Sequence, residues 1–206
     1  MAKLWNIQPR TEENALRQLL VNRKVAEADF DKFLNPDWDR DTFSHGDFAH
    51  MPAAVQRVFE ALTSAQKIVI HGDYDADGVC GSTVLFTTLR EICERLNLAF
   101  NVEVFLPDRE RDGYGVAMHT IERLASEGVK LLITVDCGIA NGLELGRAHE
   151  LGIDVVICDH HQMGEHYPEH AIVLHPLAPG EDYVNKFLCG TGVAFKLASG
   201  LLDEAR

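Results

Sequence analysis

Eight residues, His71-Gly72-Asp73-Tyr74-Asp75-Ala76-Asp77-Gly78, put three carboxylates and one imidazole into one short stretch. Like charges this close repel unless cations sit among them. Oxygen ligands with one imidazole suit Mg2+ or Mn2+ better than a structural zinc. Asp75 and Asp77 differ by two, so in extended backbone they would face the same way. Asp and Gly also form ordinary turns, and Asp is an ordinary helix cap. The stretch alone therefore does not separate a site from a turn.

The elements around it make the separation. Lys67-Ile68-Val69-Ile70 precedes it as a short β-branched run, and a long apolar-periodic segment from Val79 follows. That is strand, acidic loop, helix, and ligands of open α/β sheets bind at the carboxyl ends of strands. From Lys67 the pattern alternates, predicting strands at about 67–71, 102–106, 131–135, 154–158 and 171–174. Helices are predicted at about 79–97, 116–127, 140–151 and 191–203. The fold class expected is α/β, a mostly parallel five-stranded sheet with helices on both faces. Leu131–Val135 and Val155–Cys158 are continuously apolar, as doubly covered strands should be. The first of these runs stops at Asp136 and the second at Asp159, which is followed by His160 and His161. Three neighbouring strands thus deliver acid or imidazole to one sheet edge, more than capping predicts. Adjacent His160 and His161 cannot both point one way in extended backbone. His166, His170 and His175 read as loop histidines rather than ligands.

Residues 1–51 read as a helical lead-in and 52–206 as the metal-binding domain. In the lead-in, Thr11-Glu12-Glu13-Asn14 opens a helix with Leu16, Leu19 and Leu20 on its apolar face. A short helix around Val25–Phe30 stops at Asn35-Pro36, and residues 37–50 read as loop. A further helix starts near Pro52.

Bulk properties exclude some classes. No apolar run reaches the roughly 18–20 residues a membrane helix needs. Residues 1–5 hold no signal-peptide core. Five cysteines, none in a C-x-x-C pair, read mostly as buried thiols and suit the cytoplasm. The net charge of −13 disfavours a chain that grips nucleic acid by phosphates alone, unless bound metal offsets a local acidic site.

His71–Gly78, Thr134-Val135-Asp136-Cys137-Gly138 and Asp159-His160-His161 together resemble the first three motifs of the DHH phosphoesterase superfamily. Within it the chain is most similar to the RecJ family of single-strand-specific 5′→3′ DNA exonucleases. The similarity extends to Leu106-Pro107-Asp108-Arg109, Asp112-Gly113-Tyr114-Gly115 and Gly190–Leu197, and to Asn35-Pro36 and Met51–Ala54 in the lead-in. The resemblance implies two divalent cations, Mn2+ or Mg2+. It assigns His71 and Asp75 to one cation, Asp77 and His160 to the other, and Asp136 to both. His161 would face the scissile phosphate, Asp159 would orient an imidazole, and Asp73 would only support the loop. It also implies single-stranded DNA as substrate, a single-strand-binding protein and a helicase as partners, and a place in DNA repair and recombination. Arg109 could hold a phosphate or simply lie on the surface. Tyr114 could stack on a base or close a turn. Gly190, Thr191 and Gly192 open a helix whose free amides could hold phosphate, or they serve close packing.

The family's fourth motif, another metal-ligating aspartate, has no counterpart after Gly192, where Asp203 and Glu204 are the remaining acids. The expectation is the N-terminal portion of a longer enzyme, with little nuclease activity of its own and weakened metal binding. Two other functions stay open: a relative cutting short RNA or small nucleotides, and a non-catalytic DHH scaffold. Intact ligands in all three motifs count against the scaffold.

Overall fold

The structure, a computed structural model, describes Leu4 and residues 6–206. The reading of residues 1–5 therefore falls mostly outside the described residues. Two compact units are present, residues 1–42 and 43–206.

In the first unit, Asn14, the last of the four residues expected to open the helix, caps α1 (Ala15–Asn22), accepting from the Leu16 and Arg17 amides. Of its three leucines only Leu20 is buried. A 3-10 turn (Glu27–Asp29) leads into α2 (Phe30–Leu34). The segment 37–50, expected to be loop, holds α3 (Trp38–Asp41) at the end of the first unit and a 3-10 turn (His45–Asp47) at the start of the second. Asp37 and Ser44 cap these pieces from the side chain. Such short turns carry no apolar period for a sequence to display.

The second unit starts before the residue-52 boundary drawn from sequence. Phe48 stacks on the buried Tyr183 ring at 4.0 Å, and the Ala49 amide donates to Glu181. Then come α4 (Met51–Thr63), β1 (Lys67–Gly72), α5 (Ala76–Leu96), β2 (Val102–Phe105), α6 (Met118–Ser126), β3 (Val129–Val135), α7 (Gly142–Glu150), β4 (Asp154–Cys158), β5 (Ile172–Leu174) and α8 (Gly190–Glu204). The five strands form one sheet in the order β2-β1-β3-β4-β5, and every pairing is parallel.

Strand alternation divides the apolar side chains between two cores. Ile68, Ile70, Leu131, Ile133, Val156 and Leu174 pack with α4, α5 and α8 on one face. Val69, Leu132, Val155, Ile157 and Val173 pack with α6 and α7 on the other. The chain leaves β1 for β2 on one side and returns to β3 on β1's other side. The strand order therefore reverses between β1 and β3. That reversal opens a crevice at their carboxyl ends, where ligands of such sheets bind.

Candidate metal centre

The strand-end carboxylates Asp73, Asp75, Asp77, Asp136 and Asp159 stand around this crevice. Gly72 pairs with Val135, and the Asp73 amide continues the ladder by donating to the Val135 carbonyl at 3.0 Å. Asp75 is the N-cap of α5, its Oδ1 accepting from the Asp77 and Gly78 amides at 2.8 and 3.1 Å. The helix starts earlier than expected, so Asp77 is already in its first turn. Asp75 and Asp77 therefore do not share one extended strand, and the same-face argument from their spacing fails. Their carboxylates part: Asp77 Oδ2 and Oδ1 accept the Gly190 and Thr191 amides at 2.8 and 2.7 Å.

This contact also corrects the phosphate-binding reading of Gly190 and Thr191. Their amides at the start of α8 hold Asp77 and are not open to a phosphate. Gly192 is packed against Leu188. Gly190 is required where α8 meets the centre, since a Cβ there would lie 2.5 Å from Asp136 Oδ1 and 2.8 Å from Asp136 Cα.

Asp136 ends β3 in the left-handed region, φ 61°, which few residues other than glycine adopt and which Asp tolerates. Two groups of three donors meet on it. Asp73, Asp75 and Asp136 each bring one ligand atom within 4.8 Å of the others, and so do Asp136, His160 and His161. His160 Nε2 lies 3.1 Å from Asp136 Oδ1 and 3.6 Å from Asp77 Oδ2. It is off the line for a hydrogen bond, so Asp136 Oδ1 is buried without a hydrogen-bond partner. Asp73 Oδ1 and His71 Nε2 are likewise buried and unpartnered. Such atoms are costly in a finished protein interior and are what a cation would satisfy.

The electrostatics agree. Burial, with Asp77 and Asp75 nearby, pushes the Asp136 carboxyl up to about 8. Burial also raises Asp73. Asp77 goes the other way: against its burial, the hydrogen bonds from Thr191, Cys189 and Gly190 hold it at about 2. Burial pushes His71 down to about 4, so its imidazole is neutral and able to ligate. His71 falls outside both three-donor groups. Its Nδ1 is 3.7 Å from Cys137 Sγ, and its ring lies 5.2 Å from that of Phe105.

Asp159 is a clamp. Its Oδ1 accepts from the His160 and His161 amides at 2.7 and 3.1 Å and from His161 Nδ1 at 2.8 Å. Its Oδ2 accepts from the Ile139 amide at 3.0 Å. A proton on His161 Nδ1 leaves Nε2 as that ring's free atom. Tyr114 puts its ring 5.6 Å from the His161 ring, edge to face, and its hydroxyl donates to the Asp136 carbonyl at 3.4 Å. Half of it remains exposed beside the centre. The Arg109 guanidinium sits over the Tyr74 ring at 5.2 Å.

Sequence reasoning passed over two residues here. Cys137 fills the space behind His71. His175, taken for a loop histidine, is 1% exposed and contacts the His161 carbonyl. It is the first residue past β5, so the strand-end rule that found Asp136 and Asp159 would have found it too.

The DHH family, N-terminal domain, matches residues 67–206. The single-stranded-DNA-specific exonuclease RecJ of Bacillus subtilis is 39% identical over 186 residues, covering 90% of this chain and 23% of that protein. The chain spans about a quarter of the length of the curated relatives it matches. Among solved structures, an exonuclease RecJ bound to manganese superposes with a TM-score of 0.68 at 36% identity, covering 79% of this chain and 40% of the other. RecJ in complex with Mn2+ from Thermus thermophilus gives 0.65 at 29% identity, covering 92% and 25%.

Proposed function

The chain belongs to the DHH family, and on that footing we propose that it is the metal-holding catalytic part of a RecJ-like single-stranded-DNA exonuclease that digests 5′→3′. The observation that carries this reading is the sharing of Asp136 by two groups of donors, in a crevice with three orphaned buried polar atoms. Two adjacent cations fit such a donor set, and oxygen-rich donors with imidazoles favour Mn2+ or Mg2+. When bound, such a pair supplies Lewis acidity and charge neutralisation for hydrolysis of a phosphodiester by water. Asp73 and Asp75 would hold one cation, His160 with Asp77 the other, and Asp136 both. His71 would serve as an additional neutral ligand through its free Nε2.

The remaining residues position and shuttle. Asp159 holds the proton on His161 Nδ1, and His161 Nε2 then faces the scissile phosphate, donating to a non-bridging or leaving oxygen when the ring carries its second proton, a charge that the Asp159 carboxylate stabilises. Tyr114 and Arg109 flank the path of the strand. The names of its relatives support single-stranded DNA as the substrate. Repair and recombination, a single-strand-binding protein and a helicase as partners, and a cytoplasmic location belong to the same reading. Among the described residues no helix is long and apolar enough to cross a membrane. The metal-binding domain is taken to begin at Phe43.

Calorimetric titration of the chain with Mn2+, beside Asp136→Ala, tests the centre. Binding that the substitution abolishes supports one site built from three strand ends. Binding of equal strength in both proteins would overturn it.

A further inference from the structure

We propose that His175 is a positioning residue of the same centre, a buried neutral imidazole that clips the Asp159-His160-His161 segment in place. The proposal rests on the reading that this segment serves a metal centre, but its first test does not need a metal.

Two contacts define the clip. The Leu177 amide donates to His175 Nδ1 at 3.0 Å. Since Nδ1 is used as an acceptor, the ring's proton must sit on Nε2, 2.8 Å from the His161 carbonyl oxygen. A carbonyl can only accept, so the tautomer is dictated from both sides. The ring is inside the protein, and replacing it with an apolar side chain would leave the His161 carbonyl to find another donor.

The consequence is that His161 is tied at three points. Its amide and its Nδ1 are held by Asp159 Oδ1, and its carbonyl is held by His175. Asp159 itself is anchored to β5, its amide donating to the Leu174 carbonyl at 3.2 Å. His175 directly follows Leu174. The end of β5 thus fixes the triplet twice, at its first residue and at its last. β5 brings no ligand of its own, and His175 gives this edge strand a part in the centre. Loss of such outer contacts typically costs ten- to a hundredfold in metal affinity.

Nitrogen-15 NMR of the metal-free wild-type chain reads the clip directly. The expected His175 pattern is a neutral ring with its proton on Nε2 in slow exchange. A proton on Nδ1, or a freely exchanging Nε2 proton, would overturn the proposal. Two variants then read its effect. His175→Leu keeps bulk and removes the donor; His175→Gln restores an N–H. The expected result is a broadened His161 Nδ1 proton and at least a tenfold loss of Mn2+ affinity in His175→Leu, with partial recovery of both in His175→Gln. A folded His175→Leu that differs from wild type only in melting temperature would reduce His175 to a packing residue. If the wild type binds no Mn2+, the metal reading fails, while the NMR pattern still decides the clip.

Discussion

Asp136 is the residue on which the centre turns, and its titration has a sign that can be checked. Its folded carboxyl sits at about 8, raised by burial and by Asp77 and Asp75, against about 4 in an unfolded chain. The metal-free fold therefore binds a proton that the unfolded chain releases. The stability this gives is complete below about pH 4 and is lost as pH rises through about 8. Asn cannot ionise, so metal-free Asp136→Asn should gain on wild type with rising pH. The expected gain between pH 5 and pH 9 is at least about 1 kcal/mol, or roughly 2–4 °C in Tm for a chain of this size. A Tm difference that stays flat with pH would mean that Asp136 is already ionised in the metal-free fold. Legibility at this scale was uneven. Asp136, Asp159, His160 and His161 could be located because apolar strand cores end visibly on them. The unpartnered state of Asp73 Oδ1, the packing of Cys137 on His71 and the burial of His175 depend on neighbours far along the chain, which spacing does not encode.

At the scale of elements, the approach of α8 to the crevice is what the centre requires. Gly190 sits so close to Asp136 that any side chain must move one of them. Gly190→Ala should cost about 1–3 kcal/mol by overpacking and weaken Mn2+ binding at least tenfold. Gly146 in α7 has open space where a Cβ would go. Gly146→Ala should instead stabilise by about 0.5–1 kcal/mol and leave metal affinity unchanged. Calorimetry with thermal melts on both variants checks the pair, and a Gly190→Ala chain with wild-type affinity would show that α8 can yield. The regular elements were plain in the sequence because β3 and β4 have apolar cores, Leu131–Ile133 and Val155–Cys158, and α5 has a long period. The start of α5 was not, because Asp75 caps it while Asp77 and Gly78 look like loop. The joining of Asp77 to α8 pairs residues more than a hundred positions apart, beyond the reach of any local pattern.

For the whole molecule, the parallel order β2-β1-β3-β4-β5 brings the three motif-bearing strands side by side, with the point of reversal between β1 and β3. The α/β class followed from alternation alone, and the two-sided core from strands lacking a polar face. The division at Thr42–Phe43 did not, since it depends on Phe43 and Phe48 packing around Tyr183. The donors on Asp73, Asp75, Asp136, His160 and His161 arrive from the ends of β1, β3 and β4. No contiguous stretch contains them. They meet only after three parallel strands, separated in the chain by α5, β2 and α6 and then by α7, have found register, a slow kind of assembly. On refolding in the presence of Mn2+, ion capture should lag behind the return of helical circular dichroism. Capture in step with the helices would point to a site formed locally. The ion would then act as a clock for the fold, its arrival marking the moment when separate stretches of the chain have become one sheet.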